Sequence, residues 1–184
     1  TVADITKSDK SGTYATASAV FENDPSDFMT VLAKSEPAVS KVSHILPSYT
    51  VSAVSLPMKD AEPYITAYQS YLDSKQALQA LRKKNRDLQT RTGVSPEDFV
   101  KRLDVKEMAR ATFMSGGALD TVNLMRIGRQ DTLIFVGTQN KSFKNYVPAI
   151  HSWPYASYAS AVFGKFFQLK DESCFTYMDG WIVS

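Results

Sequence analysis

Cysteine and histidine are nearly missing from this chain. Cys174 stands alone among 184 residues, so no internal disulfide can form. That suits a reducing compartment, and equally a bacterial envelope protein that manages without disulfides. His44 and His151 are the only histidines. With one thiol beside them they cannot supply three or four zinc ligands at regular spacing. The carboxylates are scattered and form no EF-hand loop, so neither a metal nor a cofactor is expected. The formal net charge of +2 is too small to point to nucleic acid or an anionic membrane surface. No apolar run reaches transmembrane length, and no charged segment followed by an apolar one precedes the domain. Phosphate-binding loops are missing as well. "SGG" at Ser115 and "IGRQD" at Ile127 match neither a P-loop nor a dinucleotide fingerprint.

What remains is a chain built to bury a core. Apolar residues make up 43% and charged residues 22%, which argues against disorder. A single domain of this length buries roughly 70% of the surface its unfolded chain exposes. The polar opening TVADITKSDKSG, residues 1–12, reads as a flexible lead-in, with one α+β domain over 13–184. No initiator Met precedes Thr1, so removal of an upstream signal or anchor is the expectation.

Periodicity gives the elements. Thr13 to Phe21 reads as a strand. Asp24-Pro25 is a helix start, with Phe28, Val31 and Leu32 inward and Pro37 closing it. Val39, Val42 and Ile45 suggest a short second helix, and Tyr49 to Leu56 a strand ended by Pro57. One long helix is expected over Asp60–Thr92, carrying Ile65, Tyr68, Leu72, Leu78, Leu81 and Leu88, with Gly93 past its end. Ser95-Pro96-Glu97-Asp98 opens another, with Phe99, Val100 and Leu103 inward, and Asp104 is expected to cap a short turn containing Met108. The period then changes. "ATFMSGGALDTVNLMRIG" reads as two strands around Gly116-Gly117, "TLIFVGT" as a central strand, and "YVPAI" as a fourth. Tyr158 to Leu169 has helical spacing. Helices first and strands later give an α+β fold, a mostly antiparallel sheet packed by one long and several short helices.

The chain ends on "FTYMDGWIVS". Asp179-Gly180 between β-forming runs predicts a two-residue hairpin that sets Met178 opposite Trp181, Tyr177 opposite Ile182 and Thr176 opposite Val183. Both faces of that hairpin are largely apolar, which suits an inner strand. A strand of this kind left uncovered invites further pairing, so the expectation is a fragment whose native chain continues beyond Ser184.

Few residues suggest chemistry. Ser115 in "MSGGA" lacks the first glycine of a nucleophile elbow, and its glycines suit a hairpin turn. Cys174 lies in an expected strand, where a lone cysteine is usually a small hydrophobe. Arg82, Lys83, Lys84 and Arg86 spread around a helix with Asp73 and Asp87 nearby and no interleaved aromatics, the pattern of a solvated face. The most distinctive composition is "SWPYASYASAVFGKFF". Phe163, Phe166 and Phe167 read as core. Trp153, Tyr155 and Tyr158 are the candidate contact residues, as a platform for a glycan, a lipid or a partner protein, with core and a packed Trp153-Pro154 turn as the competing reading.

"ILPSYTVSAVSL", "KDAEPYITAYQSYL", "YVPAI" and "CFTYMDGWIVS", in that order, resemble an uncharacterised family of bacterial (Bacteroidetes-type) cell-envelope domains of unknown function, over about Leu46 to Ser184. The resemblance implies an extracytoplasmic domain, periplasmic or surface-exposed, tethered through a segment outside this sequence. It transfers no catalytic residues. The expected function is therefore a non-enzymatic binding or interaction module of a larger envelope protein, with a protein, glycan or lipid as partner. The alternatives are a lipid or glycan carrier, or a hydrolase-like enzyme completed by a missing segment, with His151, Ser115 and Cys174 as its residues to test.

Overall fold

A computed structural model describes residues 23–129, 150–169 and 172–184 in full, and the backbone of Val2–Ser8, Gly12–Ser18 and Ser142–Phe143. The strands are β1 Val2–Ser8, β2 Gly12–Ser18, β3 Thr50–Pro57, β4 Val105–Ser115, β5 Ala118–Ile127, β6 Ser142–Phe143, β7 Ile150–Ser152, β8 Cys174–Met178 and β9 Trp181–Val183. The helices are α1 Phe28–Lys34, α2 Glu62–Ser74, α3 Leu78–Thr92, α4 Pro96–Leu103 and α5 Tyr158–Phe163, with 3-10 turns at Val42–His44 and Lys165–Phe167. Among the described residues β1 pairs with β2 alone, so a strand stands where a flexible lead-in was expected. The other seven form one antiparallel sheet in the order β3-β4-β5-β9-β8-β7-β6. The fold is α+β, as the residue pattern predicts. "TLIFVGT", and "YVPAI" apart from Ile150, lie outside the described residues.

Helix ends account for most departures from the expected boundaries. Asp27, not Asp24, caps α1 by accepting the Met29 N–H at 2.9 Å, while Asp24 closes the turn before it through Ser26. The expected Asp60–Thr92 helix is two helices. Gln76 adopts φ +57°, its N–H donates to Asp73 O, and the Ala77 N–H donates to Leu72 O at 2.8 Å. This is a Schellman stop without the usual glycine, which is why no sequence signal marks it. Ser95 caps α4 as expected, accepting the Asp98 N–H at 3.1 Å. Asp104, expected to cap a turn holding Met108, instead ends α4 at φ +52°; Met108 follows in β4, fully buried. A Cβ at Gly128 would lie 2.2 Å from Asp104 Oδ2, so any larger residue there would push the Asp104 side chain aside. The Tyr158–Leu169 helix stops at Phe163, where Gly164 takes φ +92° and ψ −175°, a region essentially restricted to glycine.

The sheet has two unlike faces. α2, α4 and α5 cover one, burying Tyr64, Ile65, Phe99, Val100, Leu103, Tyr158 and Phe163 against Met108, Met125 and Ile182. Alternation along the strands places Ala109, Ala111, Leu124 and Trp181 on the other face, where Val42, Ile45 and Leu46 pack. The loop carrying Val42 is held by Glu107, whose side chain is fully buried. Its carboxylate accepts from Ser40 Oγ at 2.6 Å, Lys41 N–H at 2.8 Å and Arg126 Nε at 3.4 Å.

The terminal hairpin has the predicted register, Met178 with Trp181, Tyr177 with Ile182 and Thr176 with Val183. Asp179 and Gly180 take φ +50° and +84°, as a type I′ turn requires. β9 is paired on both edges, with β8 on one side and β5 on the other. The inner position that its apolar faces predict is the one it takes in the sheet.

Candidate binding groove

Trp153, Tyr155 and Tyr158 are brought together, but as core. Their exposures are 6%, 7% and 0%, which favours the core reading and overturns the exposed platform. Phe99 organises them, stacking on Tyr155 at 4.4 Å between ring centroids and meeting Tyr158 at 5.3 Å and Trp153 at 5.8 Å edge-on. The Tyr158 hydroxyl donates to Val94 O at 2.5 Å and also bonds Thr92 Oγ1, tying α5 to the end of α3.

The residues named for hydrolysis do not converge. His151 faces Phe175 in the register and its ring packs there at 5.3 Å. Cys174 pairs with Ser152, one residue along, so its side chain lies on the opposite face of the sheet from His151. Ser115 ends β4, four strand positions from β7, or about 19 Å at the usual strand spacing. Among the described residues no group of His, Cys, Asp and Glu could hold a metal ion. Arg82, Lys83, Lys84 and Arg86 are all exposed on α3.

The aromatic surface lies elsewhere. Tyr64, Tyr68 and Tyr71 follow one another at i, i+4 and i+7 on α2, so they share one stripe. Tyr68 stacks on Tyr64 at 5.9 Å and on Tyr71 at 6.2 Å. Phe28 of α1 meets Tyr71 at 5.5 Å and Tyr68 at 6.4 Å edge-on. The buried end of the stripe is fixed: the Tyr64 hydroxyl donates to Phe163 O at 2.9 Å. Gly164 then turns the chain away, and a Cβ there would sit 3.1 Å from the Tyr68 hydroxyl. The turn throws Phe166 outward to 63% exposure, which corrects its expected core position, while Phe163 and Phe167 are buried.

Between these parts lies a groove of about 450 Å³ lined by Phe28, Tyr68, Tyr71, Phe166 and two lysines, Lys75 and Lys165. No carboxylate lines it. Lys75 Nζ stands 5.7 Å from the Tyr71 ring centroid. The same ammonium also bears on exposed Asp24, whose carboxyl is held below its usual range first by the Ser26 N–H and hydroxyl, and least by Lys75. The groove thus offers aromatic walls and a cationic rim. Helical spacing puts Tyr68 on the inner stripe of the expected Asp60–Thr92 helix, and the i, i+4, i+7 placing of Tyr64, Tyr68 and Tyr71 is the signal for a ring ladder.

Burial first, and neighbouring tyrosines second, push the Tyr64 and Tyr68 hydroxyls above the ordinary value of 10.0. Burial likewise raises Tyr155 and Tyr158. A folded-state pKa above the unfolded one means the stabilisation is fully present below pH 10 and is lost as pH rises beyond it, because the unfolded chain releases those protons first. Urea midpoints should therefore hold to about pH 9.5 and fall steeply above, with the 295 nm phenolate absorbance of these rings appearing only on unfolding. Ionisation of all tyrosines at an unshifted pH in the folded protein would contradict this.

No protein-family profile, curated protein or solved structure matches the chain.

Proposed function

We propose that this chain is a binding module whose contact site is the groove between α1, α2 and the Gly164 turn, and that its ligand is a small anionic amphiphile. The observation that carries this is the pairing of aromatic walls with Lys75 and Lys165 and no lining carboxylate. Rings bury an apolar body, and an ammonium rim attracts a carboxylate, phosphate or sulfonate at its end. A neutral glycan is a poorer fit, since among side chains the groove offers ammonium and phenol groups but neither carboxylate nor amide to bind sugar hydroxyls. The reading keeps the lipid-carrier expectation and moves its site away from Trp153, Tyr155 and Tyr158. Its setting, an extracytoplasmic domain of a larger bacterial envelope protein, rests on the family resemblance alone.

Dodecanoate titrated calorimetrically into the protein tests the proposal. The double variant Lys75→Glu/Lys165→Glu should bind about tenfold more weakly, since turning two half-screened attractions into repulsions changes affinity by about 1–2 kcal/mol. Its far-UV circular dichroism should match the parent, because both lysines are exposed. Undetectable binding to the parent, or equal binding to both proteins, would remove the groove from consideration.

A further inference from the structure

The net charge of +2 conceals a segregation along the chain. Residues 75–91 hold six cations and one anion, a net of +5, which leaves −3 for the rest. Five of the six cations lie on α3. Its buried stripe is Leu78, Asn85 and Leu88, with Leu81 and Thr92 half-buried beside it. The rest of the helix is exposed, and Arg82, Lys83, Lys84, Arg86 and Arg91 stand there with Asp87 as the one anion. At 3.6 residues per turn, Arg82, Arg86 and Lys83 fall within about 100° of arc. α2, α4 and α5 pack on α3, and this side stays exposed.

Elsewhere Lys59, Lys101, Lys106 and Arg126 pair with Glu36, Glu62, Asp104 and Glu107. Among the described residues none of the five cations on α3 has such a pair. Like charges at i, i+3 and i+4, as Arg82, Lys83 and Arg86 are, repel, and a counter-charged partner removes that repulsion. No aromatic and no large apolar side chain stands on the exposed half, so it neither stacks bases nor inserts into hydrocarbon. The face meets charge with charge. It also adjoins the aromatic groove: Ala77, the residue before α3, lines that groove, and Arg82 follows about 8 Å along the helix axis.

We propose that α3 docks the protein on an anionic lipid bilayer, with its cations at the level of the headgroups. The choice of a bilayer rests on the reading of the adjoining groove as a site for an anionic amphiphile, a molecule that partitions into bilayers. Mobile headgroups gather under a broad fan of cations, whereas a single nucleic-acid strand is held by a groove with stacking rings. Docking of this kind is peripheral and reversible. It weakens with salt, because the screening length falls from about 10 Å at 0.1 M to about 3 Å at 1 M.

Sedimentation of the full chain with sucrose-loaded vesicles tests this. The protein should sediment with mixed phosphatidylcholine and phosphatidylglycerol vesicles at about 0.1 M salt, and be released at about 1 M. Each Lys or Arg near such a surface is worth about fivefold in partitioning, so the variant Arg82→Gln/Lys83→Gln/Arg86→Gln should bind about 100-fold more weakly. Glutamine is nearly as good a helix former, so its circular dichroism should match the parent. The variant should also take up dodecanoate as the parent does, which separates failure of the docking face from failure of the groove. No sedimentation with the anionic vesicles, equal sedimentation with pure phosphatidylcholine, or equal binding by the variant would overturn the proposal. A DNA duplex or polyglutamate that binds more tightly than the vesicles at equal anion concentration would overturn it in favour of a nucleic acid or an acidic protein.

Discussion

Phe99→Ala should destabilise the protein by about 3–5 kcal/mol, as deletion of a buried ring does, and lower Tm by about 10 °C or more. Phe99 is 3% exposed and touches three rings, those of Trp153, Tyr155 and Tyr158. Trp153 in turn packs on Phe175 of β8 at 4.8 Å, so the cavity would open between α4, α5 and the sheet at once. Phe99→Leu keeps most of the volume and should cost about 1.5 kcal/mol or less. Urea unfolding followed by tryptophan fluorescence measures both. A loss below about 1 kcal/mol for the alanine variant would mean the four rings are not packed as described.

Glu107→Ala comes next, at about 2–4 kcal/mol. Three donors lose their acceptor, one of them a guanidinium and one a backbone N–H, and hydrogen bonds to charged groups are worth about 1.5–3 kcal/mol. The loss stays below that of a fully buried broken pair because the Arg126 side chain keeps 27% exposure and can turn to water. The effect should also be local. The Lys41 amide should lose its protection from exchange, while amides in α2 stay protected to the new global limit. Equal stability of variant and parent would show that the loop carrying Val42 is held by apolar contacts alone.

Where a local rule fixes the backbone, the sequence was legible. Asp179-Gly180 predicted both the turn and its register, because a two-residue loop leaves no freedom in pairing. Ser95-Pro96-Glu97-Asp98 announced α4, and Gly93 the end of α3. The failures share a cause, a decision taken by tertiary packing. Gln76 stops α2 in a conformation that glycine or asparagine usually supplies. Gly164 lies within a helical pattern of spacing, yet its φ of +92° ends the helix, and a side chain in its place would crowd the Tyr68 hydroxyl. The apolar faces of β9 predicted an inner strand, but which strand would flank it was not legible, because pairing with β5, far away in sequence, leaves no local mark.

The candidate site was less legible than the fold. Composition drew attention to Trp153, Tyr155 and Tyr158, yet aromatic density alone does not separate a buried cluster from an exposed one. The groove combines α1, α2 and the Gly164 turn, three segments whose proximity is set by the sheet they pack on. Its cationic rim unites Lys75 and Lys165, and no spacing rule connects them.

The measurement that bears most directly on the binding proposal is a set of intermolecular nuclear Overhauser effects between ¹³C-labelled dodecanoate and the protein. The account predicts contacts from the acyl chain to the rings of Phe28, Tyr71 and Phe166, with none to Trp153 or Tyr155. Saturating dodecanoate that gives contacts only to other surfaces, or none at all, would contradict it.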